Sequence, residues 1–125
     1  MKMLTVDDSS VVRKIIHEAV EVLGHECLEA EDAAGAILIL EETQGEIDLI
    51  FLDWNMPGLN GLELLKQLKS DARYSRIPVM MVTTESMGSN IVEAVKAGAS
   101  HYITKPFTMD ELLKKIMECL GKGGY

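Results

Sequence analysis

The sequence predicts an α/β fold: a doubly wound, five-stranded parallel sheet with helices on both faces. Three observations predict it. Short apolar runs alternate five times with longer stretches at helical spacing, the order expected of right-handed βαβ units. Two of the runs, residues 47–52 and 78–82, are almost continuously apolar, as in strands buried on both faces. The length, 125 residues, suits one ordinary domain with one core system.

The elements follow in order. Residues 3–6 form a short apolar run ending in acids. Over 11–23, Val12, Ile15, Ile16, Ala19 and Leu23 recur at helical spacing, and Gly24 stops the helix. Residues 27–30 read as a strand. Residues 33–42 read as a helix, although Gly35 and the run Ile37-Leu38-Ile39-Leu40 blur its periodicity. After the strand at 47–52, Leu62, Leu65 and Leu68 mark a helix over 60–70. The strand at 78–82 precedes a short helix over 90–97, closed by Gly98. Residues 102–104 form the last strand, ahead of Pro106. The last helix, 108–120, opens on a capping box of Thr108 and Glu111 and ends at Gly121. Met80, Met81 and Met117 are expected to fill the core.

Composition narrows the function. At 47% hydrophobic and 26% charged residues, the chain reads as soluble and globular rather than disordered. A formal net charge of -8 argues against nucleic acid, which requires a basic face to displace counterions. Acidic surfaces suit cations or basic protein surfaces. Cys27 and Cys119 lie far apart, outside any zinc or redox spacing, and read as small buried hydrophobes in a reducing compartment. Asp7 and Asp8 come too early for a leader-peptide core. No apolar run is long enough to span a bilayer, so membrane insertion is not expected and a cytoplasmic location is.

The chemistry sits at the carboxyl ends of the strands, where open α/β sheets bind ligands. The first strand ends in Asp7-Asp8, the third in Asp53, the fourth in Thr83-Thr84, and the fifth runs into Lys105-Pro106. Three clustered carboxylates repel one another, so at neutral pH they retain protons or bind a cation. Hard oxygen ligands with room for water and a phosphate oxygen favour Mg²⁺. Lysine supplies a point charge for a phosphoryl oxygen and threonine a hydrogen bond. Aspartate is a nucleophile toward phosphorus. Singly, each residue has a plainer reading: Asp7-Asp8-Ser9 as a helix cap, Asp53 as a solvated loop acid, Lys105 as a surface lysine. Their joint placement on one sheet edge favours a phosphoryl-acceptor site.

These residues carry a resemblance. Val6-Asp7-Asp8-Ser9, then Asp53-Trp54-Asn55-Met56-Pro57-Gly58, then Val82-Thr83, then Lys105-Pro106-Phe107 resemble the receiver domain of two-component response regulators, and most of all single-domain chemotaxis-type receivers. The resemblance covers essentially the whole chain. It implies a flavodoxin-like (βα)5 fold with strand order 2-1-3-4-5, and a single receiver domain over 1–125 with no output domain. It implies that Asp53 is the phosphoacceptor, served by a histidine kinase. Asp8 and Asp53 would ligate Mg²⁺ by side chain, Asn55 by its backbone carbonyl, and Asp7 through water. Lys105 and Thr83 would contact the phosphoryl group, Tyr102 would be the aromatic switch, and the Lys105–Pro106 bond would be cis. Asn55 and Glu85 would set how fast the phosphoryl group is hydrolysed, and they resemble fast-decaying receivers.

The expected protein is therefore a switch rather than a turnover enzyme. It catalyses only its own phosphoryl uptake and loss. The effector would bind on the face made by the fourth helix, fifth strand and fifth helix, with Ile91, Glu93, Tyr102, Lys114 and Lys115 as face residues. Trp54 reads as a loop aromatic over the site. A phosphorelay intermediate is an alternative within the same family. A flavodoxin-like cofactor binder is a weaker one, because Asp7-Asp8-Ser9-Ser10 would repel a bound phosphate. An aspartate-nucleophile phosphatase would need a second acid two residues after Asp53, where Asn55 stands.

Overall fold

A computed structural model describes residues 1–56, 58–84 and 88–121, with residues 88–90 as backbone only. The chain alternates strand and helix throughout: β1 (Lys2–Val6), α1 (Ser10–Val22), β2 (Glu26–Ala30), α2 (Ala33–Glu42), β3 (Leu49–Asp53), α3 (Gly61–Lys69), β4 (Val79–Thr83), α4 (Gly88–Lys96), β5 (His101–Thr104) and α5 (Met109–Cys119). The strands form one parallel sheet in the order β2-β1-β3-β4-β5. This is the expected doubly wound, flavodoxin-like topology.

Local chemistry accounts for the helix limits. Ser9 caps α1 by accepting from the Val12 amide, and Asp32 caps α2 by accepting from the Gly35 amide. The Asp32 cap is why Gly35 does not break the helix. Asn60 with Glu63, and Thr108 with Glu111, form reciprocal capping boxes on α3 and α5. Gly24 and Gly98 follow α1 and α4 at φ +83° and +105°, a region that side chains other than glycine's rarely enter.

Each face of the sheet carries its own core. On one face α2, α3 and α4 pack Leu40, Leu64, Leu65 and Ala94 against Leu4, Ile50, Leu52 and Met81. On the other, α1 and α5 pack Ile16, Val20, Leu112 and Ile116 against Met3, Phe51, Met80 and Val82. All five residues of β3 and of β4 are buried. Met80 and Met81 fill the core as expected, but Met117 does not: it is 37% exposed on the outer side of α5. Cys27 lies in the core and Cys119 packs at its margin; burial pushes their thiols up to about 12 and about 11. Among the described residues no helix is long and apolar enough to cross a membrane.

One core position is chemically mismatched. Thr5 is fully buried, and its Oγ1 has no hydrogen-bond partner among the described residues. Thr5→Val keeps the shape and removes the stranded hydroxyl. It is expected to stabilise the protein by about 1 kcal/mol, read as a higher urea midpoint at unchanged slope.

The register sets up the site. Val6 lies opposite Leu52, Asp53 opposite Val82, and Thr83 opposite Thr104. The carboxyl ends of β1, β3, β4 and β5 therefore finish level. β1 and β3 flank the point where the strand order reverses, the place where such sheets bind ligands.

The acidic site at the carboxyl edge of the sheet

Asp7 leaves β1 as the chain turns into α1. It is 1% exposed and fully committed. Its Oδ1 accepts from the Ser9 amide at 2.9 Å, and its Oδ2 accepts from Lys105 Nζ at 3.1 Å. Its carbonyl accepts from Arg13 at 2.7 Å. Asp8, next along the turn, is exposed. Asp53 ends β3 and is 3% exposed. Its Oδ1 accepts from Lys105 Nζ at 3.2 Å, and the Asn55 backbone N–H also donates to its carboxylate. Carboxylate oxygens of Asp7, Asp8 and Asp53 lie within 4.8 Å of one another.

Close packing of the acids shapes their electrostatics. Burial, then the Asp7 charge, pushes the Asp53 carboxyl up to about 6, against a smaller pull downward from Lys105. Burial alone would lower the Lys105 ammonium, but Asp53 and Asp7 outweigh it and raise its pKa. The ammonium thus neutralises one of three acids. The cluster still carries excess negative charge, open to solvent on the Asp8 side. Hard oxygens, excess negative charge and an open side fit a small divalent cation. The Lys105–Pro106 peptide bond is cis.

Thr83 ends β4 and is 3% exposed. With Trp54, Met81, Ile91, Ala94 and Tyr102 it lines a small cavity between the sheet and α4. Trp54 thus packs against the α4 side of the sheet. Tyr102 is half-buried, and Lys115 Nζ on α5 lies 5.2 Å from its ring centroid. His101 beside it is tied to α5 by a 2.8 Å contact with Glu118. Asn55 is exposed, while Glu85 and Pro57 lie outside the described residues.

The fold therefore gathers Asp7, Asp8, Asp53 and Lys105 at one point, with Thr83 and Tyr102 joined by a cavity beside it. The chain matches the family model for the response regulator receiver domain over residues 3–117. It belongs to the response regulator receiver family. The receiver is 43% identical to a "Chemotaxis protein CheY homolog" of Campylobacter jejuni, across 98% of this chain and 95% of that protein. It is equally similar to "Chemotaxis protein CheY1" of Helicobacter pylori, across 97% and 98%. The crystal structure of the chemotaxis protein CheY4 of Vibrio cholerae superposes with a TM-score of 0.87 at 30% identity, covering 94% of this chain and 97% of that one. A receiver of this kind is a signalling regulator rather than an enzyme with turnover on an external substrate.

Two supports of the site were not anticipated from sequence. Arg13, one turn into α1, holds the Asp7 carbonyl, and its Nε reaches Glu29 Oε1 at 3.1 Å. Gly61 donates its amide to the Trp54 carbonyl at 3.0 Å, bringing the start of α3 against the backbone of Asp53 and Trp54. A glycine directly after the Asn60 cap was the available signal. Asparagine already supplies the cap, so the glycine has to serve something else.

Proposed function

We propose that this receiver accepts a phosphoryl group on Asp53 and presents the change on its α4–β5–α5 face, as a chemotaxis-type regulator. The observation that carries the proposal is the buried Asp53 carboxylate at the centre of the acid cluster, with Lys105 Nζ 3.2 Å from its Oδ1. The names of the relatives support the chemotaxis assignment. A histidine kinase is the proposed donor and the cytoplasm the proposed location.

In the proposed step an Asp53 carboxylate oxygen attacks phosphorus. The bond from phosphorus to the donor histidine nitrogen breaks, its electron pair leaves with that nitrogen, and an acyl phosphate remains. Asp8 and Asp53 would hold Mg²⁺ through their side chains, with the Asn55 carbonyl as a further ligand and Asp7 acting through water. Bound there, Mg²⁺ supplies charge neutralisation for attack by an anion on an anion. Lys105 moves from its two carboxylates onto a phosphoryl oxygen. Thr83 turns its hydroxyl toward the same group, and Tyr102 follows into the cavity they line. Asp7, pinned by Ser9 and Arg13, keeps the cluster from drifting as the lysine shifts. The exposed Asn55 stands where it can influence hydrolysis, consistent with a short-lived signal.

The face that reads the change includes Tyr102, Ile91, Glu93, Lys114 and Lys115. Val92 and Val95 stand outward on α4 at 50% and 61% exposure. A face with apolar centres and mixed charge suits a protein partner.

Trp54 fluorescence tests the proposal. Mg²⁺ is expected to change the emission of the wild-type protein, and acetyl phosphate to change it further. Neither the absence of a Mg²⁺ response nor an unaltered acetyl phosphate response in Asp53→Ala is compatible with it.

A further inference from the structure

Among the described residues, the outer face of α2 is chemically unlike that of any other helix. From Ala33 to Leu40 no side chain carries a polar atom. The domain's own needs are met by one arc, Ala33, Ala36 and Leu40, all buried. On the opposite arc Ala34 is exposed and Leu38 is 55% exposed, with Ile37 and Ile39 half-buried on its shoulders. A helix on the outside of a small domain ordinarily shows water a polar face. An apolar stripe with a charged rim marks a binding surface.

The charged residues of α2 and its immediate flanks have one sign. The chain has no Lys or Arg between Lys14 and Lys66. Glu31 lies before the helix and Glu41 and Glu42 close it, all exposed and without an ion pair among the described residues. Glu41, one turn beyond Leu38, also borders an open groove of about 350 Å³ with Gln44, Arg73 and Tyr74. Arg73 is held there by Asp71 at 3.1 and 2.8 Å and lies over the Tyr74 ring, so it is already engaged. The stripe therefore runs into a recess sized for a long side chain, edged by Glu41 on the helix side and by the Asp71-paired Arg73 on the other.

We propose that the outer face of α2 docks a basic amphipathic helix of a partner protein, with apolar residues on Ala34 and Leu38 and a Lys or Arg at Glu41 and Glu42. Charge complementarity selects this occupant. A second copy docked symmetrically through α2 would set Glu31, Glu41 and Glu42 against the same acids. A helix is the natural counterpart of a straight stripe that runs about two turns, from Ala34 through Leu38 to Glu41 and Glu42. The surface is separate from the α4–β5–α5 face, so a partner could be held there irrespective of phosphorylation.

The probe is a fluorescein-labelled peptide of leucine and lysine that folds as an amphipathic helix, with a scrambled peptide of equal composition as control. Binding is read by anisotropy and by amide chemical shifts of the full chain. Leu38→Glu, and separately Glu41→Lys with Glu42→Lys, are expected to weaken binding about tenfold or more. Glu18→Lys on the opposite side of the sheet, and Asp53→Ala, should change it by less than about twofold. Leu38→Ala serves as the second variant should glutamate disturb folding, which circular dichroism reports. Shifts centred on Asp7, Asp8 and Asp53 overturn the proposal. So do equal affinities for both peptides, equal losses in Glu18→Lys, or a Leu38-dependent dimer in sedimentation.

Discussion

Asp53→Asn is expected to raise the stability of the metal-free protein at pH 7 by about 2 kcal/mol while ending phosphoryl uptake. The cause is the acid cluster. The Asp53 carboxyl titrates at about 6 in the folded protein, against an ordinary value of 3.8. Between those values the folded chain holds a proton that the unfolded chain has released. Stability from this group is therefore present below about pH 4 and lost as pH rises through about 6. A shift of that size, in which the pull of Lys105 is already counted, corresponds to about 3 kcal/mol at pH 7, and the imperfect replacement of a protonated carboxyl by the Asn amide offsets about 1 kcal/mol of the gain. Urea denaturation in EDTA at pH 4 and pH 7 checks the expectation. Wild type should lose stability between the two values and Asp53→Asn should lose much less. Added Mg²⁺ should restore stability to wild type at pH 7 and leave Asp53→Asn nearly unmoved. An equal Mg²⁺ response in both proteins would show that Asp53 is not part of the cation site.

Gly61→Ala is expected to cost about 3 kcal/mol, the upper end of what overpacking usually costs, and to impair the site as well. A Cβ at Gly61 would fall onto the Asp53 carbonyl oxygen and within 2.9 Å of Trp54 Cα. Those are backbone atoms, so no side chain can swing aside to make room. Either α3 backs away, or the 53–54 backbone shifts and takes the Asp53 carboxylate with it. Gly58 gives the contrast. It sits at φ +77° with open space around it, so Gly58→Ala meets only backbone strain of about 1 kcal/mol. Thermal denaturation separates the two. Phosphoryl uptake from acetyl phosphate should fall in Gly61→Ala, measured below its melting temperature, and persist in Gly58→Ala.

Much of the fold was readable from residues that act locally. The Thr108 and Glu111 box, the glycines after α1, α4 and α5, and the apolar runs of β3 and β4 each carry their cause within a few positions. Strand limits were less legible. The third strand reads as residues 47–52, but the ladder holds Leu49–Asp53, because pairing begins at Met3 with Leu49 and ends at Asp53 with Val82. Hydrophobicity records burial, and Ile47 is buried without belonging to the ladder. Met117 shows the converse: an apolar residue near the end of α5 that lies beyond the reach of the sheet. At the site, the convergence of Asp7, Asp8, Asp53 and Lys105 followed from their places at strand ends. The sharing of Lys105 between two carboxylates, the Arg13 anchor and the approach of Gly61 depend on side-chain reach and helix docking, which spacing does not encode.

The Lys105 bridge also bears on how the protein comes into being. Its ammonium joins Asp7, 98 residues earlier in the chain, to Asp53, 52 residues earlier. A chain growing on the ribosome exposes both acids long before the lysine emerges, and β5 cannot add its edge to the sheet until then. Competence to receive the signal should arrive late in synthesis and in one step. A half-made receiver would display its aspartates without the ammonium that organises them, and would have little to offer a kinase that met it early.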